Sequence, residues 1–183
     1  MTQDSSIMNE RPRFIIEPLD PAKHRREEFE CGVPAMNDYL KTRARKEMDA
    51  GVAVCFVAVP ENAPGRIAGF YTLSAAVIRR VDLVDDKLLK KLPRYSDFPA
   101  TLLGRLARSL DFKGQGLGDR LMVSAMERGN SSSLEVASWA MVTDPLDDKA
   151  AGFYTGFGFR FLTETRMFLS MAQIRALLGS NAP

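Results

Sequence analysis

Three glycines fall within five residues in "KGQGLG", Lys113 to Gly118, between the apolar run "LLGRLARSL" and a stretch beginning "DRLM". A turn that ends a strand and opens a helix leaves backbone N–H groups unpaired, and the helix dipole adds partial positive charge. Without Cβ atoms the backbone can approach an anion closely. A pyrophosphate suits such a cradle. Two nucleotide signatures fail: Asp119 stands where the third glycine of G-x-G-x-x-G belongs, and no Gly-Lys-Ser/Thr follows. On these residues alone, a left-handed structural turn and a cradle for another phosphate both remain open.

Other chemistries find less to work with. Cys31 and Cys55 make no metal-ligand spacing and suit a reduced compartment. One histidine, His24, gives a zinc enzyme or a serine–histidine hydrolase little. It is expected as a solvated residue of an early charged helix, with Cys31, Cys55 and Trp139 filling core. The net charge of +2 does not demand nucleic acid, so such contact would rest on local clusters. Those clusters are Lys41 to Lys46, Arg79 with Arg80, and Lys87 to Arg94. For any one of them a solvated helix face is the simpler reading. No apolar run approaches the ~20 residues of a membrane span. The N-terminus has no apolar signal core, so the expected location is the cytoplasm.

The elements that must position the glycine turn read as one α+β domain around a mixed sheet, residues 14–183, behind a polar tail of residues 1–13. "FIIEPLD" predicts a first strand, and "PAKHRREEFECG" a charged helix with Pro21 in its first turn. "VPAMNDYLKTRARKEMDAG" carries Met36, Tyr39, Leu40 and Ala44 at helical spacing. "VAVCFVAVP" and "RIAGFYTLSAAVI" predict a hairpin. A short helix and a loop follow through Pro93 and Pro99. "ATLLGRLARSL" is a fourth strand, and "GLGDRLMVSAMERG" a helix with Leu117, Leu121, Met122 and Ala125 on one face. "LEVASWAMVTD" runs from a helix end into a fifth strand. "PLDDKAAGFYTGFG" predicts a short helix, "FRFLTETRMFLS" the last strand or strands, and "MAQIRALLG" the close.

"KGQGLGDRLM" after "LLGRLAR", with "DDKAAGFYTGFGF" some thirty residues on, resembles the GNAT N-acetyltransferases. Their pyrophosphate loop is Arg/Gln-x-x-Gly-x-Gly/Ala, whose places Lys113, Gly116 and Gly118 take. "LPRYSDFPATLLGRLA", "IAGFYTLSAAVI", "TRMFLSMAQIRALL" and the early "FECGVPAMNDYLKTRARK" look like the toxin branch of that family. Those toxins belong to bacterial toxin–antitoxin pairs and acetylate the amino group of aminoacyl-tRNA. The likeness covers about Phe14 to Leu178.

The resemblance implies a GNAT fold, with a mixed central sheet flanked by helices, and acetyl-CoA as cofactor. It places the cofactor against Leu106, Ala107 and Arg108 on the fourth strand, a turn of Lys113, Gly114, Gln115, Gly116, Leu117 and Gly118, and Phe153. A backbone N–H near Leu106 to Arg108 would hold the oxyanion. Tyr154 would be the general acid: a phenol with pKa near ~10 is protonated at neutral pH and can hand its proton to a leaving thiolate. The alternative for Tyr154 is a core aromatic like Phe157 or Phe159.

No general base stands out. A lysine amine, pKa about 10.4, is neutral in roughly one molecule in 2,500 at pH 7, whereas an α-amine near ~8 is neutral about one time in ten. A site without a base therefore suits an aminoacyl ester. Lys87, Lys90, Lys91 and Arg94 are the candidate tRNA contacts. The implied partners are aminoacyl-tRNA, a small antitoxin protein and a second copy in a homodimer. Rival readings are a GNAT enzyme acting on a small amine or a protein, and a non-catalytic acetyl-CoA-binding module.

Overall fold

A computed structural model describes residues 12–179. Seven strands form one mixed sheet in the order β1-β2-β3-β4-β5-β7-β6. They are β1 (Phe14–Pro18), β2 (Val54–Pro60), β3 (Gly69–Arg79), β4 (Asp97–Arg108), β5 (Ala140–Thr143), β6 (Arg160–Phe161) and β7 (Met167–Ser170). Among the described residues, β4 and β5 are the only strands that pair in parallel. The helices are α1 (Pro34–Asp38), α2 (Ala44–Asp49), α3 (Asp86–Lys91), α4 (Leu117–Glu135), α5 (Asp148–Gly156) and α6 (Met171–Leu177). Of the polar tail expected over residues 1–13, all but Pro12 and Arg13 lies outside the described residues.

Residue parity assigns the helices to two layers. Tyr71, Leu103 and Met141 pack with the buried face of α4, with Tyr154 of α5 and with Ile174 of α6. Phe70, Val57 and Ala107 point the other way, onto Tyr39, Leu40 and Ala44. On that second face Ile78, Phe98 and Val142 meet Leu88, Leu89 and Leu92 around α3. The segment expected as one helix over residues 33–51 is interrupted by a π-turn, Tyr39–Arg43, between α1 and α2. Such turns widen a helix and redirect its side chains. Here Tyr39 is buried, with its hydroxyl donating to Glu47 Oε2 at 2.8 Å.

Strand β4 starts three residues before the expected Ala100, with Pro99 inside it. Arg80 N–H donates to Ser96 O at 2.7 Å, which sets the alternation along the β3–β4 ladder. Pro99 then falls where its nitrogen faces away from β3, so the missing N–H costs no ladder bond. Helix α4 outlasts the expected Gly129 by six residues, ending at Glu135.

The early charged helix does not form. Residues 21–23 are a turn, Arg26–Glu28 is a single 3-10 turn, and Arg25 N–H donates to Gly65 O at 2.9 Å. That bond draws the chain onto the β2–β3 loop before a helix can propagate. His24 is accordingly not a solvated residue: it is 4% exposed. Its Nδ1 accepts from Asp20 N–H at 2.9 Å and its Nε2 lies 3.0 Å from Glu17 Oε1. With Nδ1 accepting, Nε2 is the ring nitrogen left to donate to Glu17. Replacing His24 by alanine should cost about 2–3 kcal/mol, from a cavity and an unpaired Asp20 N–H, read as a lower urea midpoint at unchanged m-value.

Candidate active site

The site follows from a mismatch of strand lengths. Strand β5 pairs only with Ala100–Leu102 of β4, whereas β4 continues to Arg108. Thr143, the last residue of β5, donates its hydroxyl to Leu103 O at 3.0 Å, and beyond that point the two strands part. Ser109 N–H donates to Ala68 O on the β3 side. By alternation Ala107 and Arg105 also face β3, and Leu106 and Arg108 turn their N–H groups into the gap. A bulge helps to aim them: Gly104 is the extra residue of β4 opposite Thr72 and Leu73. A Cβ on Gly104 would come within 3.1 Å of Thr72 Oγ1.

A cleft of about 340 Å³ passes through this gap. Gly118, Ala150, Phe153 and Tyr154 line it on the α4–α5 side, and Cys31, Val33 and Met36 on the α1 side. Leu106, Ala107 and Arg108 form the strand between them. The sequence reading did not find the Cys31–Met36 wall, and Cys31 is only partly buried rather than core. Asn37 holds that wall: its Oδ1 accepts from Cys31 N–H at 3.0 Å, and its Nδ2 donates to Glu30 Oε1 at 2.7 Å. A buried asparagine on an otherwise apolar helix face was the available signal. Cys55 packs in the core, whereas Trp139 is only partly buried and lies against it, stacking on Phe168 at 5.8 Å.

The glycine turn sits at one mouth of the cleft. Gly114 and Gly116 have φ of +77° and +70°, the left-handed region that glycine enters without a Cβ penalty. Gly116 precedes α4, and no side chain caps the helix. The first intrahelical bond here runs from Arg120 N–H to Gly116 O, so the N–H groups of Leu117, Gly118 and Asp119 have no partner within the helix. The Leu117 side chain is fully buried, so it contributes only backbone. Lys113 is exposed beside the turn, and Gln115 Oε1 is buried without a hydrogen-bond partner among the described residues. Open donors, a nearby cation and an orphaned acceptor fit a phosphorylated ligand that also brings donors of its own.

Tyr154 stands at the other end of the gap. Asp147 caps α5 by accepting from Ala150 N–H at 2.8 Å, and this fixes the helix that carries the phenol. The ring is 6% exposed and lies against Phe153 and Phe159, with centroids 5.5 and 5.7 Å away. Burial pushes its pKa above the ordinary phenol value, and the Thr143 hydroxyl draws it partly back. The phenol is therefore a protonated donor at neutral pH. The carboxylates that line the cleft are already engaged, Asp147 as the cap of α5. Asp144 is held by Arg166 through two contacts of 2.7 Å, and burial raises the Cys31 thiol so that it stays protonated.

Lys87, Lys90, Lys91 and Arg94 do not line this cleft. They are exposed on and after α3, on the same face of the sheet as α1 and α2. Arg79 and Arg80 are spent locally. Arg79 chelates Asp82 at 2.9 and 3.0 Å, and Arg80 donates to the carbonyls of Leu89 and Pro93.

No protein-family model matches the chain. Individual proteins do. It is 31% identical over 153 residues to the tRNA-acetylating toxin of Mycobacterium tuberculosis, covering 82% of this chain and 89% of that protein. The chain belongs to the GNAT toxin family. Solved toxins agree in fold. AtaT complexed with acetyl-methionyl-tRNAfMet superposes with a TM-score of 0.83 at 28% identity, covering 91% of this chain and 99% of AtaT. A tyrosine-to-phenylalanine variant of AtaT, bound to acetyl-CoA and the C-terminus of the antitoxin AtaR, gives 0.77 at 27% identity, covering 90% and 98%. The GNAT fold expected from the glycine turn and its flanking strands is thereby borne out.

Proposed function

We propose that this GNAT toxin transfers the acetyl group of acetyl-CoA to the amino group of aminoacyl-tRNA and so blocks translation, with Tyr154 as its general acid. The supporting observation is the cleft through the β4–β5 gap, which puts an anion-binding turn, two inward N–H groups and a buried phenol along one channel. Acetyl-CoA supplies the activated thioester. The turn from Lys113 to Gly118 holds its pyrophosphate, and Leu106, Ala107 and Phe153 flank its arm. The N–H groups of Leu106 and Arg108 stabilise charge on the acetyl oxygen, and the Tyr154 hydroxyl holds the proton that the departing sulfur requires.

The absence of a free base in the cleft, among the described residues, favours an amine that is substantially neutral already. An α-amine meets that condition better than a lysine side chain. We read residues 14–183 as the catalytic domain, acting in the cytoplasm where charged tRNA is found, as a homodimer restrained by an antitoxin. No helix among the described residues is long and apolar enough to cross a membrane.

Lys87, Lys90, Lys91 and Arg94 form one basic rim on the sheet face that carries α1 to α3, and Lys41 to Lys46 on the π-turn and α2 form another. Changing Lys90, Lys91 and Arg94 together to glutamate should weaken binding of charged tRNA by about 10²-fold at physiological salt and flatten its salt dependence. Acetyl-CoA affinity should stay unchanged. Filter binding across a KCl series measures both the affinity and the slope. Equal slopes would return these side chains to the role of a solvated face.

A further inference from the structure

Strand β3 is longer than its outer neighbour. The β2–β3 ladder ends where Val54 meets Leu73, yet β3 runs on to Arg79. The bond from Arg80 N–H to Ser96 O fixes which residues of this extension face β4. Ser74, Ala76 and Ile78 exchange bonds with β4, so Ala75, Val77 and Arg79 aim N–H and C=O outward. Nothing among the described residues pairs with that edge. Ala75, Val77 and Arg79 are all exposed, Val77 at 54%. The Arg79 guanidinium is drawn aside to Asp82, which leaves its backbone open.

The edge lacks the usual protection. It has no bulge, proline or inward-pointing charge, the devices by which unpaired strands avoid adding a neighbour. Beside it, on the α4 face, lies a groove of about 670 Å³ lined by Val54, Phe56, Leu73, Ala75, Thr101 and Val136. It is larger than the cleft at Tyr154 and shares none of its lining residues. Open main-chain groups and an apolar groove on one side are the two requirements for strand addition. The backbone supplies affinity and the groove accepts alternate side chains.

Three occupants are conceivable, and the geometry separates them. A second copy of β3 does not fit: when Val77 pairs antiparallel with itself, the second copy's Leu73 falls opposite Val81. The second copy's β2 begins there, in the space of the 3-10 turn Arg80–Asp82. The chain's own N-terminal residues join the fold at the wrong end. Arg13 O accepts from Glu61 N–H beyond Pro60, about 20 Å of strand away from Val54.

We propose that the open edge Ala75–Arg79 is the docking site for an extended segment of the cognate antitoxin, added beside β3 in line with β2. The segment carries small or branched apolar residues at alternate positions, facing the groove. Its remaining contacts lie elsewhere on the toxin. The assignment rests on the toxin reading above for the identity of the partner, but its location rests on the strand edge alone.

Hydrogen exchange on the full-length toxin tests it, alone and in complex with the antitoxin that suppresses its growth arrest. Amides of Val77 and Arg79 should exchange at least ~10-fold more slowly in the complex. Val77→Pro removes an outward N–H without breaking a β4 bond. It should weaken binding of the antitoxin ~10-fold or more while leaving acetylation of charged tRNA by the free toxin unchanged. Should that variant misfold, exchange on the unaltered protein still decides. A neutralising complex with no added protection at these amides would overturn the proposal. So would protection that appears on concentrating the toxin alone, or that vanishes from the free toxin when residues 1–11 are removed. A protected edge in a protein that acetylates no charged tRNA would keep the docking site and sink the substrate reading instead.

Discussion

Changing Tyr154 to phenylalanine is expected to lower kcat for acetyl transfer by about 10²–10⁴-fold with acetyl-CoA affinity nearly unchanged. The ring and its edge contacts to Phe153 and Phe159 remain, and only the hydroxyl is lost. Loss of that hydroxyl does not strand its neighbour, because Thr143 already donates to Leu103 O. Stability should therefore change by no more than about 1 kcal/mol. Growth arrest by the unaltered protein, expressed without antitoxin, should be absent in the variant. The pH profile adds a second readout. Activity rises with pH as the acceptor amine loses its proton, then falls as the phenol ionises. Burial raises the phenol, so that alkaline limb lies above its ordinary value of about 10, and it should disappear in the phenylalanine variant. Full turnover by a folded variant would remove Tyr154 from the mechanism.

The parts of this site that were legible in the sequence are those set by local chemistry. Glycine at 114 and 116 follows from the left-handed turn, and the 3.6-residue spacing of Leu117, Leu121 and Ala125 gives the buried face of α4. The channel between them was legible only through resemblance, because it depends on where β5 stops. Thr143, which marks the parting of the strands, lies forty residues from the Leu103 carbonyl it bonds. The Cys31–Met36 wall is likewise non-local, since it is placed by packing of Tyr39 and Leu40 on the sheet. His24 shows the same limit from the other side. "PAKHRREEFECG" has good helix formers, but the backbone bond from Arg25 to Gly65 and the ring's contacts with Asp20 and Glu17 outweigh that local preference. Clustered charge was the least informative signal. Arg79 and Arg80 stand beside the same helix as Lys87, Lys90 and Lys91, yet they are bound to Asp82 and to the carbonyls of Leu89 and Pro93.

Gly116→Asp should weaken acetyl-CoA binding by about 10²-fold or more without unfolding the protein. No heavy atom lies within 4 Å of the place its Cβ would take, so the substitution meets no steric obstacle. The left-handed backbone, φ +70°, charges most side chains about 1–2 kcal/mol, but aspartate and asparagine tolerate it best. A carboxylate before the first turn of α4 is itself favourable to the helix dipole, which offsets part of that cost. The same carboxylate then occupies the place proposed for the pyrophosphate. Two unit charges ~5 Å apart at an effective dielectric of ~20 repel by about 3 kcal/mol, which corresponds to the expected loss. Gly116→Asn separates the causes, because it has nearly the same shape and backbone tolerance but no charge. Asparagine should lower affinity by no more than about 10-fold, aspartate by at least ten times more, with both variants melting within a few degrees of the parent. Titration calorimetry with acetyl-CoA reads the affinities directly. If the aspartate variant binds as tightly as the parent while folded, the turn is structural, and the pyrophosphate must be held elsewhere along the cleft.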